Sequence, residues 1–378
     1  MKEEFVSRQQ VNLLPERIRK AEKTDATKEL NLYMWDLFEK KKYVPMNIMV
    51  VGAGGSYPAA IFAKHVLHDE MRTPNVEAVT PQTAVRILTQ FDRVNNGEWN
   101  PKYDLVIGIS YSGKTPDIKC VSELCAQKGF PFILVTGAEK STLSDIYRES
   151  DSVKIISYYN AEDTTGKERG MISMVSTLAP IIIFDDNWTC KLISKNQEAL
   201  VNGEKFVSDL NISEIAKTIK QYPVIHVFYE WDTLPTAADI ESKFTESGIA
   251  NVVLHEKKNF SHGRYTSLYN QNFAVVINLT RHGMAIPLDG SGNINKFYKY
   301  KYDENLAIFL NKICEEKSTH YIEIGTVAMM PSQWNIEAMS NLPYLITAIG
   351  EELGIDISKP LKPFPEEAIQ LYDYKGKF

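Results

Sequence analysis

Three hydroxyl side chains fall within six residues, at Ser110, Ser112 and Thr115 in the stretch Ser-Tyr-Ser-Gly-Lys-Thr. A phosphate presents several acceptor oxygens and needs convergent donors. Hydroxyls, the free amides of a helix N-terminus and the helix dipole supply them without a full countercharge. Gly113 permits a backbone conformation or close approach that a side chain would obstruct. Pro116 suits a first helical turn, where its missing amide has no helical acceptor. Ser56, in Gly-Ala-Gly-Gly-Ser, holds an equivalent place after an earlier apolar run. Such hydroxyls also cap helices and satisfy tight turns. Two loops of this kind at two strand ends favour a ligand site, because α/β sheets bind ligands beyond the carboxyl ends of their strands. Neither loop has the full Walker sequence or the dinucleotide glycine fingerprint, so nucleotide hydrolysis is not expected.

A second group lies in the other half of the chain. Asp239, Lys243 and Glu246 are spaced by four and then three residues, which places them on one helix face. Taken locally, they read as a solvent-facing Asp239–Lys243 pair with Glu246 covering the exposed face, and His262 beside Gly263 reads as a turn histidine. Taken as chemistry, they match what an aldose–ketose interconversion requires. A carboxylate moves a proton between adjacent carbons, a histidine handles proton traffic at the ring oxygen, and a lysine stabilises developing oxyanion charge. His65 and His68 are three apart without a clear set of further ligands, so no metal is expected there. The motifs give no case for a cofactor.

Elements must hold these groups. Met46 to Val51 is a short apolar run ending in the glycine loop, and Tyr57 to Leu67 has helical spacing. Leu105 to Ile109 is a strand candidate, the hydroxyl stretch is its turn, Pro116 to Lys128 follows as helix, and residues 131–137 form the next strand. Asp151 to Tyr159 adds another strand, before a long apolar helix beginning near Arg169. Short apolar strands alternating with helices, without strict two-residue periodicity, indicate a parallel sheet covered on both faces. The pattern then restarts with strand Tyr222 to Tyr229 and helix Pro235 to Ser247, closed by Gly248. Strands Asn251 to Leu254 and Phe273 to Leu279, a helix near Asn293 to Lys312, strand Tyr321 to Gly325 and helix Trp334 to Leu353 complete it. Residues from about 8 to 40 read as helical, with Leu30, Tyr33, Met34 and Leu37 at helical intervals. The expected organisation is a helical arm over residues 1–39, a first α/β domain over 40–198 and a second over 199–378.

Composition agrees with that plan. The 378 residues fit two domains of ordinary size, and 44% hydrophobic with 24% charged residues is normal for a globular chain. The four cysteines form no close ligand pair with metal-site spacing and read as thiols in a reducing compartment. No long apolar segment follows the first charges, so neither a signal peptide nor a membrane anchor is expected, and the cytoplasm is the default location. A net charge of -6 gives no basic stripe despite Lys40, Lys41 and Lys42, so nucleic acid is not an expected partner.

The order of these motifs resembles the sugar isomerase, or SIS, family. It is similar in particular to proteins with two SIS domains, among them the isomerase region of glucosamine-6-phosphate synthases and related phosphosugar isomerases, deaminases and deglycases. ISYSGKT, residues 109–115, resembles the family's S-x-S-G-x-T phosphate loop, and VGAGGSY, residues 51–57, its companion loop. The resemblance covers roughly residues 40 to 365 and implies two SIS-type domains, each with a mostly parallel sheet covered by helices. By position it implies phosphate binding by Ser56, Ser110, Ser112 and Thr115. The stretch WDTLPTAADIESKFTES, residues 231–247, aligns with the segment carrying the synthase's catalytic glutamate. The resemblance thereby makes Lys243 the charge-stabilising lysine, Glu246 the enediol-forming base and His262 the ring-opening histidine. Lys114 replaces a common glutamate, Tyr229 and Trp231 replace glycines, Arg264 replaces a proline, and Lys359 and Lys362 are two candidates for a tail lysine. No glutamine-hydrolysing domain precedes the match, which disfavours complete synthase activity. The expected function is a phosphosugar aldose–ketose isomerase working through an enediol or enolamine, with amino-sugar phosphates as possible substrates. Deamination or deglycation of phosphorylated sugar–amine adducts, and non-catalytic sugar-phosphate regulation, are the alternatives. The resemblance also implies a homodimer, which permits His262 to act across the subunit interface, and requires no metal or cofactor.

Overall fold

The computed structural model describes residues 4–42, 44–69, 75–90, 103–147, 150, 152–161, 168, 172–189, 203–281, 296–326 and 330–359. The described chain forms two compact units. One holds a first sheet with the helices between residues 12 and 189. The other holds a second sheet, residues 203–359, and the start of the chain as far as Val11.

The elements of the first unit run in order as α1 (Val6–Glu22), which begins in the second unit, α2 (Ala26–Lys40), β1 (Asn47–Gly52), α3 (Ser56–Asp69), β2 (Asn75–Val79), α4 (Pro81–Gln90), β3 (Leu105–Ile109), α5 (Pro116–Lys128), β4 (Phe132–Thr136), β5 (Val153–Ser157) and α6 (Val175–Thr189). The five strands are all parallel in the order β2-β1-β3-β4-β5. β3 and β4 are buried at every position, as continuous apolar runs covered on both faces should be. Helices α4 and α5 pack on one face, over Met49, Val51, Val106, Phe132 and Leu134, whereas α3 and α6 contact each other on the opposite face.

The second unit continues as α7 (Gly203–Ser208), α8 (Ile212–Gln221), β6 (Val224–Tyr229), α9 (Leu234–Glu246), β7 (Asn251–Glu256), α10 (Lys257–Phe260), α11 (Thr266–Asn270), β8 (Val275–Arg281), α12 (Lys296–Lys317), β9 (His320–Thr326) and α13 (Pro331–Leu353). Its four strands are parallel in the order β7-β6-β8-β9. On one face, α13 contacts both α8 and α9. On the other face, Leu306, Leu310 and Ile313 of α12 pack with Phe228, Phe260, Phe273 and Val276. The amides of Val6 and Ser7 donate to the Asp356 carboxylate at 2.9 and 3.2 Å, and Arg8 donates to Glu351 at 2.8 and 2.5 Å. These bonds tie the chain's start into this unit.

Several expectations change in detail. The single helical stretch over residues 8–40 is two helices, broken between Glu22 and Ala26, where the Thr24 hydroxyl donates to the Ala21 carbonyl at 2.7 Å and so closes the first helix. The apolar helix expected from Arg169 begins at Val175, and Arg169 itself lies outside the described residues, as do 293–295 at the start of the expected Asn293 helix. β2 and α4 were not anticipated. β2 is an edge strand with only Val76 fully buried, so its sequence lacks the apolar run that marks β1 and β3.

Candidate functional site

The first sheet has a topological switch point. The chain leaves β1 for α3 on one face and leaves β3 for α5 on the other, and β1 and β3 are neighbours. The connections therefore part and leave a crevice beyond the carboxyl ends of the two strands, the usual ligand position in such sheets. Gly52 and Ile109 pair in register, so the two loops start from the same level. Ser110 directly follows Ile109 and Ser56 opens α3; both are buried. The Ser110 and Thr115 hydroxyls lie 2.9 Å apart and share a hydrogen bond, while exposed Ser112 accepts from the Lys114 amide at 3.2 Å.

Thr115 precedes Pro116 as the cap residue of α5, yet its side chain makes no capping bond to the helix amides. The first turn of α5 therefore takes no capping bond from the hydroxyl that precedes it. Gly113 adopts a φ of 63°, and a Cβ there would come within 2.7 Å of Leu143 and 3.0 Å of the Thr136 hydroxyl. Left-handed backbone and lack of room both require glycine.

Supporting residues absent from the sequence reading fix this loop. The Tyr111 carbonyl accepts from the Gly137 amide and the Thr136 hydroxyl, each at 3.1 Å, and its ring lies where a Cβ on Gly137 would stand. The Tyr111 hydroxyl accepts from the Glu168 amide at 3.2 Å. Glu168 in turn places its carboxylate on the first turn of α6, accepting from the amides of Met174 and Val175 at 2.7 Å and Ser176 at 3.0 Å. That carboxylate neutralises the positive end of α6. The Thr177 hydroxyl donates to the Gly55 carbonyl at 2.8 Å, joining α6 to the glycine loop. An acidic residue shortly before an apolar helix was the available signal for Glu168.

The second unit repeats this wiring, since α9 follows β6 on one face and α12 follows β8 on the other. An ion pair spans its switch point among the described residues. Asp232, before α9, forms a buried ion pair with Arg281 at the end of β8. Asn335 of α13 donates to the Asp232 carbonyl at 2.7 Å and accepts from the Thr236 hydroxyl at 2.7 Å.

The Asp239–Lys243 pair is a correction to the local sequence reading. The two side chains form an ion pair, but at 0% and 3% exposure they face the interior rather than solvent. The reason is that α9 lies between β7 and α13 and is covered on nearly every side. Glu246 is half-buried at the last turn and accepts from the Ser242 hydroxyl at 2.9 Å. Burial pushes its carboxyl above the ordinary glutamate value, against the opposing pull of Ser242 and Lys243.

His262 is exposed in the turn after α10. Because α9 runs antiparallel to the strands, Glu246 stands where β7 begins, whereas His262 lies beyond where β7 ends. The six residues of β7 separate them by roughly 20 Å of strand. Lys243 and Glu246 are together, and His262 is not with them in the same chain.

Among the described residues no group of three or more His, Cys, Asp or Glu side chains could hold a metal ion. His65 is buried in α3 and His68 is exposed. Cys120, Cys125 and Cys314 are free thiols, while Cys190 and Lys362 lie outside the described residues. Lys359 is mostly exposed and pairs with Asp356 at 3.3 Å. Among the described residues no helix is long and apolar enough to cross a membrane.

Residues 43–185, the stretch that spans β1 to β5, match the family model for the SIS domain. Over 132 residues the chain is 28% identical to a glutamine–fructose-6-phosphate aminotransferase (isomerizing) of Halobacterium salinarum; the match spans 35% of this chain and 20% of that relative's length. The fold extends much further. The tagatose-6-phosphate ketose/aldose isomerase of Escherichia coli superposes with a TM-score of 0.68 at 18% identity, covering 96% of this chain and 97% of that one. The C-terminal domain of the glucosamine–fructose-6-phosphate aminotransferase of Francisella tularensis superposes with a TM-score of 0.66 at 14% identity, covering 95% and 99%.

Proposed function

We propose that the protein is a phosphosugar aldose–ketose isomerase, with amino-sugar phosphates within its substrate range. The observation that carries this reading is the hydroxyl cluster of Ser110, Ser112 and Thr115 at the switch point of a SIS domain, with Ser56 on the facing loop. These four residues anchor the phosphate through hydroxyl and amide donors. Glu246 transfers the proton between C1 and C2, since a carboxyl pushed upward by burial both accepts and returns a proton more readily near neutrality. Lys243 offsets charge on the enediol or enolamine oxygen, and His262 assists ring opening.

The wide separation of Glu246 and His262 along β7 supports a homodimer in which each histidine serves the partner's glutamate. Mixing dimers of Glu246→Gln with dimers of His262→Asn, under conditions of subunit exchange, tests this. About a quarter of native activity should return, because half the dimers become mixed and each mixed dimer regains one of its two sites. No recovery, despite exchange shown by mass spectrometry, would place both residues in one subunit's site or remove one from catalysis.

The reaction itself is tested by incubating the native protein with a panel of phosphosugars and their amine adducts and resolving the products. An aldose–ketose pair without ammonia or amine release supports isomerisation; stoichiometric release reassigns the chain to deamination or deglycation. Binding without turnover across the panel would leave a sugar-phosphate-binding regulator. Replacing exposed Ser112 with alanine should weaken phosphorylated ligands by about ten- to a hundredfold, the value of one hydrogen bond to a charged group. Unphosphorylated sugars should bind unchanged, and equal loss for both ligand types would remove Ser112 from phosphate binding.

A further inference from the structure

His262 takes its place from α10, which ends two residues before it. The His262 amide donates to the Asn259 carbonyl at 3.2 Å and the Arg264 amide to the Phe260 carbonyl at 3.1 Å, so the histidine turn continues α10 and moves with it. A helix this short does not hold itself together in water. It is fixed from outside. At its start the Glu256 carboxylate accepts from the amides of Lys258 and Asn259 at 3.0 and 2.9 Å. Further ties run to two adjacent residues of α12. The Tyr302 hydroxyl donates to the Lys257 carbonyl at 2.5 Å, and the Lys258 ammonium lies 3.7 Å from the centre of the Tyr302 ring. The buried Lys257 side chain forms an ion pair with Asp303 at 3.6 Å. Phe260, at the end of α10, meets Phe228 edge-on and lies against Phe309 of α12, and Tyr265 beyond the turn also meets Phe309. Burial, with Asp303, Glu256 and Glu230 nearby, raises the Tyr302 phenol above the ordinary tyrosine value, so it remains a hydrogen-bond donor through the neutral range.

We propose that Tyr302 is a positioning residue: its bond to the Lys257 carbonyl, backed by the Asp303–Lys257 pair, fixes α10 so that the His262 imidazole is presented in one place. The catalytic consequence rests on the reading that His262 opens the sugar ring, but the clamp itself can be read without turnover. In Tyr302→Phe, which keeps the ring, the amides of Asn259 and His262 should exchange with deuterated solvent about tenfold faster, the effect of one lost hydrogen bond on local opening. Amides of β6 should exchange as in the native protein. Unchanged exchange at Asn259 and His262 overturns the proposal. Turnover then separates positioning from general stability. A ketose 6-phosphate closes its ring through the C5 hydroxyl, so its 5-deoxy analogue, of the same length, stays open. For the ring-forming ketose, Tyr302→Phe should lower kcat by about ten- to a hundredfold, the cost of a small displacement of a reacting group, with KM changed by no more than about threefold. Exchange of the analogue's C1 hydrogen with deuterated solvent should stay within about threefold of native, because that step needs no ring opening. Equal losses on both compounds, or an unchanged kcat on the ring-forming one, overturn the proposal. His262→Asn is the reference and should show the same split with a loss at least as large. Full turnover of the ring-forming ketose by His262→Asn would remove ring opening from His262, while amide exchange still decides the clamp. If Tyr302→Phe does not fold, Asp303→Asn supplies the test: loss of the counter-charge to Lys257 should give the same split, and equal loss on both compounds counts against the clamp.

Discussion

Glu246→Gln is expected to lower phosphosugar turnover by about 10²- to 10⁴-fold, the usual contribution of a positioned acid–base group. Affinity for the phosphorylated ligand should be retained. The substitution is close to isosteric, and the glutamine oxygen can still accept from Ser242, which now sits 2.9 Å from the carboxylate. What it removes is the site where a proton can rest between C1 and C2. Exchange of the substrate's C2 hydrogen with deuterated solvent should stop together with turnover, because both pass through the same intermediate. The native protein also carries a pH signature. Since burial raises the Glu246 carboxyl, the acid limb of kcat/KM should lie above the ordinary glutamate value of 4.5, with activity rising as the base ionises. Full turnover by Glu246→Gln would remove that residue from the reaction.

The second large effect concerns acid stability and comes from a part of the molecule that takes no role in the proposed chemistry. His226 and His255 lie on adjacent strands with Nδ1 of the first 2.8 Å from Nε2 of the second, both buried. Their rings stack with centroids 5.0 Å apart, Phe273 meets His226 edge-on, and Phe228 stacks on His255. The two outer ring nitrogens have no hydrogen-bond partner. Desolvation, with His255 opposing a second charge, lowers His226 to about 3; desolvation, with Arg264 nearby, lowers His255 to about 4. Folded-state values below the unfolded 6.5 mean that the unfolded chain takes up protons first. Stability contributed by the neutral pair is complete above about pH 6.5 and declines as pH falls toward 4. Between pH 6.5 and 5 the loss is about 2 kcal/mol for one histidine alone, a large part of the ~5–15 kcal/mol that holds a typical domain folded. Urea unfolding across that window should show the decline, and His226→Leu with His255→Leu should flatten it. Parallel pH profiles for the two proteins would show that the acid sensitivity arises elsewhere.

The residues that could be read in advance share a property: their meaning is local. Ser110 to Thr115 declare themselves because an apolar strand, a polar turn and Pro116 follow in immediate succession, and the same holds for the glycine loop before Ser56. Strands β1, β3 and β4 were visible as continuous apolar runs, and the parallel architecture followed from them. Asp239 and Lys243 read locally as solvent-facing because opposite charges one turn apart look alike whether they line a surface or an interior. Only the packing of β7 and α13 around α9 decides between those outcomes. Glu168 does not stand out in the sequence because its partners are backbone amides, which carry no sequence label. The histidine pair was invisible for a related reason: His226 and His255 are 29 residues apart, and only the pairing of β6 with β7 makes them neighbours.

Two lobes of like wiring suggest two equivalent receptors. The Asp232–Arg281 pair argues for a single one. An anion entering the second lobe's crevice would have to draw Arg281 away from Asp232, leaving that carboxylate buried and uncompensated, a penalty of about 3–5 kcal/mol when one partner of such a pair is lost. The first lobe asks for no such exchange, because its hydroxyls carry no charge and Ser110 and Thr115 bond mainly to each other. Occupancy should therefore saturate at one phosphate per chain.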